Sequence, residues 1–199
     1  MTSDPPRKPH HHGNLRAALI QSGLEILAES GLSKLTLRAC AARAGVSHSA
    51  PAHHFGGLPG LLTAIAGRGF EIFADTMNAA RRDADPAPRA QLIAICRGYM
   101  DFAEAHPALF TLMFNTPARL APDDAFVAAA DAAYDVLADT CAPFEPVTDD
   151  PRSTEMMVWA LVHGLASLLQ GGRFKPENDR MDMPDFEAIL PPLPLRADP

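Results

Sequence analysis

Cysteine is scarce in this 199-residue chain: Cys40, Cys96 and Cys141 are odd in number, far apart and without a C-x-x-C pair. They offer neither a disulfide framework nor a zinc knuckle, and a reducing compartment is the natural reading. Met1 to Gly13 is rich in Pro and His and lacks an apolar segment, so this end does not read as a secretory signal. Long hydrophobic runs are missing too. The longest, Met156 to Leu169, is interrupted by His163 and Gly164 and falls short of the roughly 20 residues a spanning helix needs. The expectation is a soluble cytoplasmic protein with no membrane partner. Period-two alternation is absent, which leaves no predicted strand and an all-α fold class. No serine or cysteine nucleophile with a supporting base and carboxylate can be identified by spacing, so no catalytic residue, metal site or cofactor is predicted and a hydrolase reading is weak.

Charge is present but unevenly placed. The formal net charge is −7, a sum that hides its distribution. Residues 1–55 carry Arg7, Lys8, Arg16, Lys34, Arg38 and Arg43 against Asp4, Glu25 and Glu29, a balance of +3, and the remainder carries −10. Six of the eight histidines also fall within residues 1–55, so a mildly basic head precedes an acidic body.

Helical periodicity runs from Asn14 to Ser30 through Leu15, Ala18, Leu19, Ile26 and Leu27, and Gly31 supplies a stop. Thr36 is placed to cap a short helix, with Leu35 stapling onto Cys40, and Gly45 ends it. Ser47 opens a third helix to about Phe55; Pro51, four positions on, cannot donate and should tighten its first turn. Further helices are predicted over Leu58 to Arg82, Arg89 to Ala105, Pro107 to Asn115, Asp123 to Cys141 and Arg152 to Gln170, with prolines at the breaks. The segment after Gly172 holds six of the 19 prolines and is expected to be loosely ordered, with one short helix around Asp185 to Leu190. The organisation read from this is an arm (1–13), a head (14–57), a helical body (58–172) and a Pro-rich tail (173–199).

Thr36, Gly45-Val46-Ser47 and the two short helices they delimit form a helix-turn-helix pattern, which either seats its second helix in a DNA major groove or serves as plain scaffolding. The stretches His11-His12-Gly13-Asn14-Leu15-Arg16, Leu35-Thr36-Leu37-Arg38, Ala44-Gly45-Val46-Ser47 and His53-His54-Phe55 resemble the DNA-binding domain of the TetR/AcrR family of transcriptional regulators. Ala105-His106-Pro107-Ala108-Leu109-Phe110 and Trp159-Ala160-Leu161-Val162-His163-Gly164 resemble one C-terminal class of that family. The resemblance covers about residues 11–172.

It implies an all-helical homodimer that represses by operator binding and is released by a small ligand. Carried over by position, the DNA-binding set is Lys34, Thr36, Arg38, Ser47, His48, Ser49, His53 and His54. Thr36 and Arg38 would touch phosphates, while Ser47, His48 and Ser49 would face the groove. His53 and His54 would lie by the backbone or pack at the helix end. His48 either donates to guanine or is a solvated surface histidine. Ala52 and Leu58 stand where the family usually has Tyr and Lys, which removes a hydrogen bond and a cation and implies weaker operator affinity or more reliance on the arm. That arm, with Arg7, Lys8 and His10 to His12, either follows the DNA backbone or enters the adjacent minor groove, or is disordered and inert.

In the body, aromatic and methionine side chains at helical spacing read first as core. Tyr99, Trp159 and His163 add polar tips that need partners, in neighbouring backbone or around a ligand cavity. The effector set expected on this basis is Phe73, Met77, Tyr99, Phe102, Phe110, Met113, Phe114, Trp159 and His163, around an apolar or aromatic small molecule. The last long helix is apolar on nearly every face, and Ala125, Ala128, Ala129, Ala132 and Ala133 form a small-residue stripe on the helix before it. A two-fold dimer built from these two helices follows. Two rivals are a helical regulator with a protein ligand or none, and a small-molecule-binding protein or enzyme using the body with the head as scaffold.

Overall fold

The computed structural model describes residues 12–116, 119–172 and 183–197, and among these it is all-helical. The N-terminal arm through His11, with Arg7, Lys8 and His10, and the tail residues 173–182 lie outside the described residues. The head comprises α1 (His12–Ser30), a 3-10 turn (Leu32–Lys34), α2 (Leu37–Arg43) and α3 (Ala50–Phe55). The body comprises α4 (Leu58–Arg82), α5 (Pro88–Ala105), α6 (Pro107–Asn115), α7 (Asp124–Cys141) and α8 (Ser153–Gln170), followed by a short α9 (Phe186–Ile189).

Local chemistry sets the head. The Thr36 hydroxyl accepts from the Ala39 N–H at 3.1 Å and so satisfies one of the orphan donors of α2. Leu35 and Cys40, the expected staple pair, are both buried. Gly45 takes φ 68°, the left-handed conformation that turns the chain toward α3. The third helix starts at Ala50, three residues later than the sequence suggests, because Pro51 has no N–H to give the Ser47 carbonyl. That carbonyl accepts instead from Ala50 at 3.0 Å, which is the tightened turn expected of the proline.

α4 is 25 residues long, about 37 Å, and belongs to both halves of the molecule. Its first half buries Leu61, Leu62 and Ile65 with the head; its second half buries Phe73 and Met77 in the body. α5 crosses it closely at Gly98, where a Cβ would come within 2.9 Å of the Met77 Cα. Thr63, buried on α4, donates to the Pro59 carbonyl at 2.9 Å and accepts from the Ala121 N–H at 2.7 Å, which ties the start of α4 to the link before α7.

The described end of the tail corrects the expectation of loose order. Phe186 and Leu190 are buried, and Arg89 on α5 donates to the Glu187 carboxylate and to the carbonyls of Glu187, Leu190 and Pro191 at 2.9 to 3.2 Å. Beyond α9 the Glu145 N–H donates to the Pro194 carbonyl at 2.9 Å, and the Arg196 N–H to the Pro143 carbonyl at 2.8 Å. Prolines cannot build a ladder among themselves, but their carbonyls are free to accept from the α7–α8 link.

Candidate nucleic-acid interface and internal cavity

Lys34 closes the 3-10 turn, Thr36 caps α2 and Arg38 lies in its first turn; all three are exposed. Ser47, His48 and Ser49 are exposed in the turn ahead of α3 rather than on the helix itself, with the Ser47 and Ser49 hydroxyls 3.3 Å apart. His53 is exposed on α3. His54 is half-buried and tilted toward the Phe55 ring at 6.5 Å, the end-of-helix packing that was one of its two expected places. The Arg16 guanidinium lies over the same ring, 5.3 Å from its centre.

Not every head cation is available to a ligand. Arg43 donates to Glu29 at 2.7 Å and lies 3.6 Å from Glu25, and its hydrogen bond holds the Glu29 carboxyl below the usual carboxylate range. Among the described residues Lys34 and Arg38 have no such carboxylate partner. Lys34 and Arg38 thus give the head exposed cations, and Thr36 and the turn 47–49 give it exposed hydroxyls.

The body encloses a cavity of about 400 Å³ between α4, α5, α7 and α8, with Phe114 reaching in from α6. Of the nine expected residues, Phe73, Met77, Tyr99, Phe114 and Trp159 are on its wall. Phe102, Phe110 and Met113 are not; they are buried in the packed core. The reason is helical phase. Phe102 tilts onto Phe73 at 5.0 Å, and Met113 packs where Gly69 on α4 leaves room, its sulfur 2.6 Å from a Cβ placed there.

His163 also sits behind the wall, half-buried. Its Nδ1 is 2.7 Å from the Tyr99 hydroxyl, and its ring stacks on Phe110 at 5.5 Å. Burial raises the Tyr99 phenol and lowers His163, so both are neutral at pH 7 and share one hydrogen bond. Burial also pushes the Cys96 and Cys141 thiols up to about 12, leaving them as small apolar groups. Among the described residues no group of three or more His, Cys, Asp or Glu is placed to hold a metal ion, and no helix is long and apolar enough to cross a membrane.

The family described as "Tetracyclin repressor-like, C-terminal domain" matches residues 92–189. The HTH-type transcriptional regulator BetI of Stenotrophomonas maltophilia is 28% identical over 171 residues, covering 83% of this chain and 87% of that protein. The HTH-type transcriptional regulator BetI 1 of Chromohalobacter salexigens is 33% identical over 91 residues, a match spanning 46% of this chain and 45% of that relative. A solved structure from Rhodococcus sp. RHA1, a protein of unknown function, is 33% identical with a TM-score of 0.66, covering 83% of this chain and 88% of that one. These similarities support a DNA-binding transcriptional regulator with a TetR-type C-terminal region.

In this regulator the cavity draws more from α7 than the sequence suggests. Asp131, Ala133, Tyr134 and Leu137 line it, as do Phe70 on α4 and Val158 and Val162 on α8. The Tyr134 hydroxyl donates to the Glu155 carboxylate, which pushes that phenol up to about 12, with burial adding to the effect. The signal for α7 was Asp131 and Tyr134 at i and i+3 within an alanine stripe, one face of one helix. The alanines drew it toward a dimer role instead.

The Tyr99–His163 pair makes a pH prediction. A histidine whose folded pKa is depressed binds its proton better when unfolded. Stability is therefore full above the unfolded value of about 6.5 and falls as pH drops below it, by at most about 1.4 kcal/mol per pH unit. Between pH 7.5 and 5.5 the His163→Gln variant is expected to lose less thermal stability than the parent; an identical loss in both would show that His163 does not carry this dependence.

Proposed function

We propose that this chain is a transcriptional repressor that binds a near-palindromic operator as a homodimer and is released when a small, largely apolar ligand fills the body cavity. The observation that carries the reading is the position of α4. Its first turn abuts α3 so closely that a Cβ on Gly60 would meet the Phe55 carbonyl at 2.0 Å, while Phe70, Phe73 and Met77 farther along the same helix line the cavity. A ligand that fits one placement of α4 better than another shifts the spacing of the two recognition helices. On this reading the head (14–57) reads DNA in the cytoplasm through Lys34, Thr36, Arg38, Ser47, His48, Ser49 and His53. The body binds ligand and partner.

The dimer face we propose is centred on α8. Met156 and Leu168 are 47% and 43% exposed, and Ala160 and Gly164 complete the same four-residue spacing. Gly164 has nothing within 4 Å of a Cβ placed on it, room for a partner helix. α7 contributes less than expected, because Ala133 is in the core and the exposed side alternates Ala125, Ala128 and Ala132 with Asp124, Asp131, Asp135 and Asp139. The Trp159…His163-Gly164 segment then does three things: Trp159 walls the cavity, His163 orients Tyr99, and Gly164 admits the partner.

Selection of bound duplexes from a random pool tests the whole reading. The expected product is a near-palindrome with half-sites about one helical turn, or a multiple of it, apart. Enrichment of no sequence, or a monomer in sedimentation at micromolar concentration, would remove it.

A further inference from the structure

We infer that the seam between head and body holds a second small-molecule site, one that takes a short aliphatic primary amine in its ammonium form. A groove of about 320 Å³ runs along that seam and shares no residue with the body cavity. Leu24 and Leu27 line it from α1, Ile72 from the second half of α4, and Ala108 and Leu109 from the start of α6. These walls are aliphatic. The one ring on the groove is the His106 imidazole, tilted toward Phe102 with ring centres 5.2 Å apart. The space is in the range of small-ligand sites, and walls without an aromatic face to stack on suit an unbranched alkyl chain.

The polar side chains that α1 adds to the groove select the head group. Gln21 and Glu25 both line it and are exposed one turn apart. The Gln21 Nε2 donates to one Glu25 oxygen at 3.1 Å, so the amide carbonyl is left to accept. Arg43 makes its hydrogen bonds to Glu29 and stands 3.6 Å from the other Glu25 oxygen, beyond hydrogen-bond length. Glu25 therefore keeps acceptor capacity. Two carboxylates against one guanidinium leave this side of the groove with net negative charge, and no lysine or arginine lines it. An ammonium group brings three donors and no acceptor, which matches the Glu25 carboxylate and the Gln21 carbonyl; a carboxylate ligand would meet like charge. With its head on α1 and its chain against Ile72, Ala108 and Leu109, such a ligand ties head to body by a route separate from α4.

Titration calorimetry of the full-length protein with hexylammonium, hexanol and hexanoate tests the site. Hexylammonium is expected to bind about three- to fivefold more tightly than hexanol, the scale of an exposed ion pair, with hexanoate weakest. Trp159, the only tryptophan, lines the body cavity and not the seam, so its emission should stay constant as the groove fills. Ala28→Phe, at an exposed position on the groove wall, is expected to abolish binding of all three probes. Glu25→Gln keeps an oxygen for Gln21 and leaves Arg43 on Glu29; it should bring hexylammonium down to the affinity of hexanol and leave hexanol unchanged. Binding that survives Ala28→Phe, or that changes Trp159 emission in step with the heat, would put the amine elsewhere and overturn the seam site. Equal affinity for hexanol, or a preference that persists in Glu25→Gln, would overturn the ammonium assignment. No heat from any probe at millimolar concentration would overturn both.

Discussion

Duplex affinity should fall by about a thousandfold at about 0.1 M salt when Lys34 and Arg38 are both replaced by alanine, on the expectation that each neutralises one phosphate. In a two-fold dimer the two substitutions remove four cations, so the slope of log affinity against log salt should flatten by roughly 3 to 4. The loss should be nearly uniform across sequences, because phosphate contacts position the protein and do not read bases. Arg43→Ala is the matched control: its guanidinium is already committed to Glu29 and Glu25, and it should leave the slope close to that of the parent. Competition binding over a salt series measures all three proteins. A double variant with an unchanged slope would take the phosphate role away from this face.

The second large effect concerns the tail. Phe186 is fully buried and Leu190 nearly so, and both are held by a side chain about a hundred residues earlier in the sequence, Arg89. Truncating a buried phenylalanine costs about 3 to 5 kcal/mol through lost transfer energy and the cavity left behind. Set against a typical total of roughly 5 to 15 kcal/mol, Phe186→Ala should lower the urea midpoint substantially. Arg89→Met should do so to a smaller degree, because it removes the donors that satisfy the last carbonyls of α9 while keeping the aliphatic stem. A midpoint within error of the parent for Phe186→Ala would mean that the segment peels away from the body before it unfolds and contributes nothing to its stability.

Much of the helical layout was legible. The bounds of α4 and α6 coincide with the apolar period and its breaks, and Asp123 caps α7 by accepting from the Phe126 N–H at 2.8 Å. The head motif was legible for the same reason: caps and stops act within about four residues. Where local rules competed, the reading slipped. Ser47 has the chemistry of a cap, but the missing N–H of Pro51 moves the start of α3 to Ala50.

The cavity was half legible. Aromatic spacing singled out Phe73, Met77, Tyr99, Phe114 and Trp159, which line it, yet could not separate them from the core residues Phe102, Phe110 and Met113, which have the same periodicity. Asp131 and Tyr134 were passed over because an alanine-rich helix reads equally well as an internal packing surface or an external one.

Taken alone, the order of residues determined which segments are helical, where most of them stop, and that a basic, hydroxyl-bearing head precedes an acidic body, since each depends on neighbours in the chain. Which faces those helices turn toward one another was settled only in three dimensions. Rotational phase is set where backbones touch, as at Gly98 against Met77 and Gly69 against Met113, and those partners are 21 and 44 residues apart. From that phase come the ring-lined space and the seat for Phe186.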